Sequence, residues 1–206
     1  MGCQTAKRSG NHLSRDQLLH LIRFYPQRAQ KAAEILLAQQ PNNAELVEII
    51  RFVPSLRERA FKRLLEQAPT EEELGLLLDW VPSLAEKAAK KLLERNPQRK
   101  TLLKIFRLVP SLQREVAEKW LAGPAEKEDL CAIIIWLLEL AEKAAEKLLE
   151  REPDLEDLFL ILKLVPSLRQ EAWARVLQRA NQREIAQILK ALPFLSQDFK
   201  EKGGQG

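Results

Sequence analysis

The sequence predicts an all-α protein, an α-solenoid assembled from a repeated unit of two helices and 28 residues. Three observations support this fold class: prolines recur at a fixed interval, one four-residue string appears four times, and apolar residues between these marks follow a helical spacing. A chain of 206 residues is also long enough to bury a substantial core.

All eleven prolines fall into two series. The first is Pro26, Pro54, Pro82, Pro110, Pro166 and Pro193, and the second is Pro41, Pro69, Pro97, Pro124 and Pro153. The first four members of the first series are each 28 residues apart. Because proline interrupts a helix, each series marks a recurring helix boundary, and every unit reads as helix A, a loop, helix B and a second loop.

The string VPSL marks the boundary after helix B. It occupies Val53–Leu56, Val81–Leu84, Val109–Leu112 and Val165–Leu168, with degenerate versions at Tyr25–Arg28, Leu137–Leu140 and Leu192–Leu195. A residue before proline is disfavoured in a helix, so helix B should end at the valine or its equivalent.

Polar residues followed three positions later by Glu, Gln or Asp predict the helix starts. For helix A these capping boxes are Ser55 with Glu58, Ser83 with Glu86, and Ser167 with Gln170. For helix B they are Asn42 with Glu45, Thr70 with Glu73, and Asp154 with Asp157, and a lone first helix begins with Ser14 and Gln17.

Equivalent positions in successive repeats form columns, and several columns are apolar. Together these apolar positions make a face too wide for one hairpin to bury. Helix B carries Leu46, Leu74, Leu102, Leu130 and Leu158, and helix A carries the small residues Ala32, Ala60, Ala88, Val116, Ala144 and Ala172. Stacked hairpins can cover such faces, because each unit shields the next.

The complete prediction is therefore a right-handed α-solenoid of about six 28-residue helical hairpin repeats with terminal capping helices. One repeat domain spans residues 13–202, capped by the helix from Ser14 to Phe24 and by a segment from Phe194 to Lys202. Residues 1–12 and 203–206 are expected to be disordered tails.

This pattern resembles the short-period HEAT-like and armadillo-like α-solenoids over nearly the whole chain. The resemblance implies a curved surface that grips another macromolecule along its concave side, lined by helix B. It implies no catalytic residues.

Composition and motifs restrict the class of protein. The net charge is +4, from 33 basic and 29 acidic residues, which is close to balance. Two cysteines at positions 3 and 131 have no metal or disulfide spacing, so we expect a reducing, cytoplasmic location. No signal peptide or membrane span is expected. No phosphate-binding or metalloprotease string occurs, so no catalytic residue, metal, cofactor or small-molecule substrate is predicted.

The aromatic residues offer a second interpretation, stacking on nucleic-acid bases. However, Trp80, Trp120, Trp136 and Trp173 all stand in columns that other repeats fill with apolar residues, which favours packing in the core.

Two columns on helix B are the candidate contact surface for a partner protein or peptide. One column is basic at five of seven positions, Arg23, Arg51, Arg107, Lys163 and Lys190, with Asp79 and Ile135 as exceptions. Its charges would suit an acidic peptide or a phosphate backbone, although they would also stabilise the carbonyl ends of the helices. The predicted partner-binding residues are Arg51, Leu76, Lys104, Arg107, Ile135, Leu160, Lys163 and Lys190.

These observations predict a non-catalytic scaffold or adaptor that binds a protein along the concave face. The alternative is a nucleic-acid-binding α-solenoid that uses the basic column of helix B. A second basic column on helix A, which includes Arg63 and Arg175, reads as a solvated face of mixed charge.

The fourth repeat departs from the pattern. It lacks VPS, Pro124 comes one residue early, and residues 133–138 are all apolar. Either helix B extends there or the superhelix bends, and either change could create a pocket or a contact between copies.

Overall fold

The computed structural model describes residues 13–195, and this range contains α-helices and short 3₁₀ turns without a strand. The all-α prediction is therefore confirmed. The thirteen α-helices of the range are α1 (Arg15–Phe24), α2 (Pro26–Ala38), α3 (Asn43–Phe52), α4 (Arg57–Glu66), α5 (Glu71–Trp80), α6 (Pro82–Leu93), α7 (Arg99–Leu108), α8 (Gln113–Ala122), α9 (Lys127–Trp136), α10 (Leu138–Leu149), α11 (Leu155–Leu164), α12 (Arg169–Arg179) and α13 (Gln182–Ala191). Three 3₁₀ turns, Pro54–Leu56, Pro110–Leu112 and Pro166–Leu168, precede α4, α8 and α12.

The chain divides into two compact units, residues 1–109 and residues 110–206. In the first unit the odd-numbered helices α1, α3, α5 and α7 pack side by side, and each of the first three also packs on the helix that follows it. In the second unit α9 and α11 contact each other in the same way, while α9 packs on α10 and α11 on α12. The most extensive packing therefore joins helix B of one repeat to helix A of the next.

One residue forms the corner between these two helices. Val53 has φ −121° and ψ 84°, and its N–H donates to the carbonyl of Ile49. The equivalent residues Tyr25, Val81, Val109, Leu137, Val165 and Leu192 have φ between −121° and −135° and ψ between 72° and 84°. Proline after the corner restricts the backbone to such extended angles, and all corners except Tyr25 are buried.

The serines of VPSL do not cap helix A, so that prediction is wrong. Helix α6 begins at Pro82 with Val81 as its N-cap, and no side chain caps it. The 3₁₀ turns at Pro54 and Pro166 begin in the same way. Proline takes the first helical position, where no N–H acceptor exists within the helix, and the serine then lies inside the first turn.

The boxes predicted for helix B and for the first helix are confirmed. In α3 the Asn42 side chain accepts from the Glu45 N–H at 2.9 Å, and the Glu45 carboxylate accepts from the Asn42 N–H at 2.7 Å. The same exchange occurs at Ser14, Thr70 and Asp154, and also at Asn181 with Glu184.

The loop from helix A to helix B contains a left-handed residue before proline. Gln40, Ala68, Asn96 and Glu152 have φ between 48° and 54°. The fourth repeat lacks this residue, because Gly123 ends α8 with φ −116° and ψ −166°. This loop has four residues, as do the loops before α3 and α5, but its proline lies one position earlier, directly after Gly123.

Guanidinium groups join successive A helices within each unit. Arg63 Nη1 donates to the Leu37 carbonyl at 2.7 Å, and Arg175 donates to the Leu149 carbonyl, in both cases 26 residues earlier. Arg95, Arg151 and Arg179 bind Pro69, Ala125 and Pro153 carbonyls at the same interval. The last carbonyls of a helix lack intrahelical partners and favour cations. Arg63 and Arg175 therefore stabilise the stacking of repeats, and the prediction of a solvated face is wrong for them.

Two of the sequence-based predictions concern residues outside the described range. The predicted tails, 1–12 and 203–206, are not part of it, and the predicted C-terminal cap is described only at Phe194 and Leu195.

We predict that Asn42→Ala lowers the free energy of unfolding by about 1 kcal/mol, because the Glu45 N–H loses its acceptor. Ser55→Ala is the matched control and should change it by less than about 0.5 kcal/mol, since Ser55 is exposed and caps no helix. Urea denaturation followed by circular dichroism measures both. Equal losses for the two variants would contradict the assignment of the caps.

Candidate protein-binding surface

The predicted partner-binding residues all lie on B helices. The first unit contains Arg51, Leu76, Lys104 and Arg107, on α3, α5 and α7, and the second contains Ile135, Leu160, Lys163 and Lys190, on α9, α11 and α13. Arg51, Arg107, Ile135, Lys163 and Lys190 are exposed, whereas Leu76, Lys104 and Leu160 are half-buried.

Two cations of the first unit are engaged within the fold. Arg23 forms an ion pair with Glu48 of the next B helix. Lys104 Nζ lies 2.6 Å from Asp79 Oδ2 and 2.9 Å from the carbonyl oxygen of Gly75. The Arg23–Glu48 pair reduces the net positive charge of the basic column, whereas Lys104, which is outside that column, neutralises its acidic member Asp79.

Arg51 lies over an aromatic ring of the next repeat. Its guanidinium carbon is 4.0 Å from the Trp80 ring centroid and 4.9 Å from that of Phe52. Such cation–π contacts contribute about 0.5–1 kcal/mol at exposed sites, so Arg51 also covers part of Trp80.

The remaining cations of the column face solvent. Within residues 13–195, the side chains of Arg107, Lys163 and Lys190 form neither an ion pair nor a hydrogen bond. These three residues can therefore meet an anionic partner without first breaking a contact of the fold.

Leu76 borders a shallow groove of about 250 Å³ between α5 and α7. Gly75 opens this groove, because a Cβ atom there would meet nothing within 4 Å. Lys104 and Thr101 line the opposite wall. Leu76 and Leu160, the two leucines among the predicted partner-binding residues, are both partly covered.

The last residue of helix B is a large apolar side chain that faces solvent in several repeats. Phe24, Trp80, Leu108 and Trp136 are 64%, 37%, 45% and 66% exposed. We call Phe24, Trp80 and Leu108, the three that lie in the first unit, the corner row. The prediction that all four tryptophans pack in the core is thus wrong for Trp80 and Trp136, whereas Trp120 is 5% exposed and Trp173 is half-buried.

The fourth repeat exposes three apolar residues close together in the sequence. Ile135 and Leu138, on either side of the α9–α10 corner, are 48% and 72% exposed, and Trp136 lies between them. We call Ile135, Trp136 and Leu138 the α9–α10 cluster. Helix α9 ends at Trp136, in register with the other B helices, so the expected extension of this helix does not occur.

Charged groups surround this cluster. Glu139 follows Leu138 directly and is exposed. Arg114 lies within electrostatic reach of Glu139, and its pKa is raised, chiefly by the hydrogen bond and charge of Glu118 at 2.9 Å. Lys163 occupies the Ile135 position of the following repeat.

Cys131 lies on α9 beside the carboxylate of Asp157. Its Sγ is 3.4 Å from Asp157 Oδ1. Burial, followed by the hydrogen bond and charge of Asp157, raises the pKa of the Cys131 thiol to about 12. The thiol is therefore protonated at neutral pH and is a poor nucleophile.

Metal-binding clusters and membrane-spanning helices are both absent from residues 13–195. No group of three or more His, Cys, Asp or Glu in that range could hold a metal ion. None of its helices combines the length and apolar character required to span a membrane.

No family model, curated protein or solved structure matches this chain. The description of its surface therefore depends on its own residues.

The sequence identified Ile135 as a candidate but missed Trp136 and Leu138. Trp136 was assigned to the core because every repeat has an apolar or small residue in its column. The signal for Leu138 was present, since it replaces the proline of VPSL in a helix whose register is otherwise unchanged.

We predict that iodoacetamide alkylates Cys131 at pH 8 at least about a hundredfold more slowly in the folded protein than in guanidinium, because its raised pKa leaves little thiolate. A Cys3→Ser background isolates the signal, which mass spectrometry follows. Asp157→Asn should increase the folded rate, since a hydrogen-bonded negative charge is removed. Equal folded and denatured rates would contradict this environment.

Proposed function

We propose that this chain is a non-catalytic helical-repeat scaffold that binds another protein through the ends of its B helices. The corner row carries this proposal, because exposed apolar residues recur at one position of the repeat. Apolar side chains that cluster on a surface are typical of protein contacts, whereas scattered ones are ordinary.

The same proposal includes the architecture expected from the sequence. It is a right-handed α-solenoid of about six repeats, similar to the HEAT-like and armadillo-like proteins, with helix B on the concave face. Support comes from the uniform corners and from the side-by-side packing of B helices within each unit. A cytoplasmic location also belongs to the proposal, supported by the free thiol of Cys131.

We predict a radius of gyration above about 20 Å from small-angle X-ray scattering, since repeats stacked about 10 Å apart extend the chain. A compact protein of 206 residues would give about 17 Å. A value near 17 Å with a symmetric distance distribution would contradict the solenoid.

The binding proposal predicts that removing the corner row abolishes capture of protein partners. In the test variant, Phe24, Trp80 and Leu108 are each replaced by Gln. The matched control replaces Ile35 and Leu177, two exposed apolar residues on A helices, by Gln. Captured proteins are quantified by mass spectrometry after cross-linking to the immobilised full chain.

We expect the test variant to lose the proteins that both the wild type and the control retain. Equal capture by all three would contradict a role for the corner row. The alternative, nucleic-acid binding, is favoured by the exposed Arg107, Lys163 and Lys190. It would appear instead as capture that nuclease removes and that falls steeply with salt.

A further inference from the structure

At two of the three positions of the α9–α10 cluster, Ile135 and Leu138, the fold does not require an apolar residue. At the Ile135 position the other repeats carry charged residues: Arg23, Arg51, Asp79, Arg107, Lys163 and Lys190. At the Leu138 position they carry proline. The corner itself is unchanged, since Leu137 has φ −131° and ψ 80° against −121° and 84° for Val53.

The cluster also gains little from burial. Leu138 occupies the first position of α10, where proline would fit, and 72% of it faces solvent. An exposed tryptophan between two exposed aliphatic residues has no role in packing that would account for it. These three side chains are therefore placed to be covered by something else.

The size of the cluster suits a short segment better than a second copy of this chain. From their exposed fractions, the three side chains present on the order of 400 Å². A standard interface between two folded proteins needs about 800 Å² on each partner. A peptide with one or two large apolar residues would cover the cluster completely.

The charged residues near the cluster determine which residues should flank the apolar residues of such a peptide. Lys163 occupies the same column one repeat further on, about 10 Å away, and no carboxylate of the described residues pairs with it. The exposed carboxylate of Glu139 lies at the other end of the cluster, on α10, and the nearby Arg114 is already paired with Glu118. Carboxylates on the peptide would therefore meet an available cation at Lys163.

Leu160 extends the apolar surface toward that cation. It is half-buried and holds the position that Lys104 holds in the first unit. In the first unit Lys104 contacts Asp79, and Leu160 and Ile135 occupy the equivalent positions in the second unit. The same register therefore places Leu160 beside Ile135. From α9 to α11, the surface thus presents first the apolar residues and then the cation Lys163.

We propose that the α9–α10 cluster binds a short segment of a partner protein in which large apolar residues are flanked by Asp or Glu. The apolar residues contact Trp136 and Leu138, and the carboxylates face Lys163. This inference rests on the proposed scaffold function and adds the chemistry of its partner.

The repeat itself supplies a variant that removes the cluster and keeps the fold. Ile135→Arg, Trp136→Leu and Leu138→Pro restore residues found at the same positions in other repeats, such as Arg107, Leu164 and Pro166. The extended backbone of Leu137 suits a residue before proline. Trp136→Ser, at an exposed position, gives a second variant that leaves α10 intact.

The test is a selection of peptides from a random display library on the immobilised full chain. Enriched peptides are synthesised, and fluorescence anisotropy measures their affinity. We expect them to share large apolar residues flanked by Asp or Glu. The triple variant and Trp136→Ser should each weaken binding at least tenfold, and Lys163→Glu should weaken it more than Lys163→Gln, while Leu177→Gln leaves it unchanged.

Enriched peptides with basic or unbiased flanks, or peptides that bind both cluster variants normally, would overturn the inference. So would a mass that rises with concentration in the wild type and not in Trp136→Ser, because the occupant would then be a second copy. Peptides that depend on Phe24, Trp80 and Leu108 instead would refute this site and leave the scaffold proposal standing. No enrichment over a bare surface would count against both proposals.

Discussion

An extended corner residue, buried at every corner but Tyr25 and followed by proline at every corner but Leu137, sets how helix B meets the next helix A. Val53, Val81 and Val165 lie within a few degrees of the same ψ, are almost fully buried, and donate their N–H to the preceding turn. Burial fixes the side chain, and the proline restricts the backbone. Helix B and the following helix A consequently meet at one corner throughout both units.

The corner also decides which side chains face solvent. Because the corner residue points into the core, the last residue of helix B lies on the outside, as Trp136 and Leu108 do. A large apolar residue there contributes little to the folded state and remains available for contact. The surface that we assign to partners is therefore exposed by the same corner that connects helix B to helix A.

The sequence was sufficient for the helices and their boundaries because proline and the capping residues act locally. Asn42 and Thr70 cap as predicted, since each needs only the residue three positions later. Ser55 and Ser83 do not cap, because proline already occupies the first position of the helix. The prediction was wrong because the preference of serine for the N-cap competes with the preference of proline for the first helical position, and proline prevails.

The surface was harder to predict, because exposure depends on neighbouring repeats. Two residues of the same hydrophobicity near the end of helix B can be buried, as Ile134 is, or exposed, as Ile135 is. The partners of charged residues are also distant in sequence: Lys104 pairs with Asp79, 25 residues away, and Arg63 binds a carbonyl 26 residues away. A scan of periodicity within one helix cannot detect such pairs.

The arginine bonds between neighbouring repeats have a consequence for how a chain of this kind can grow. Each guanidinium reaches the carbonyl 26 residues before it, so every such bond is confined to adjacent repeats within a unit. The bond of Arg63 needs an arginine in the later repeat, and the equivalent positions 91, 119 and 147 hold lysine. Duplication of the 28 codons of a repeat that contains its own arginine would thus supply the same bond at the new junction.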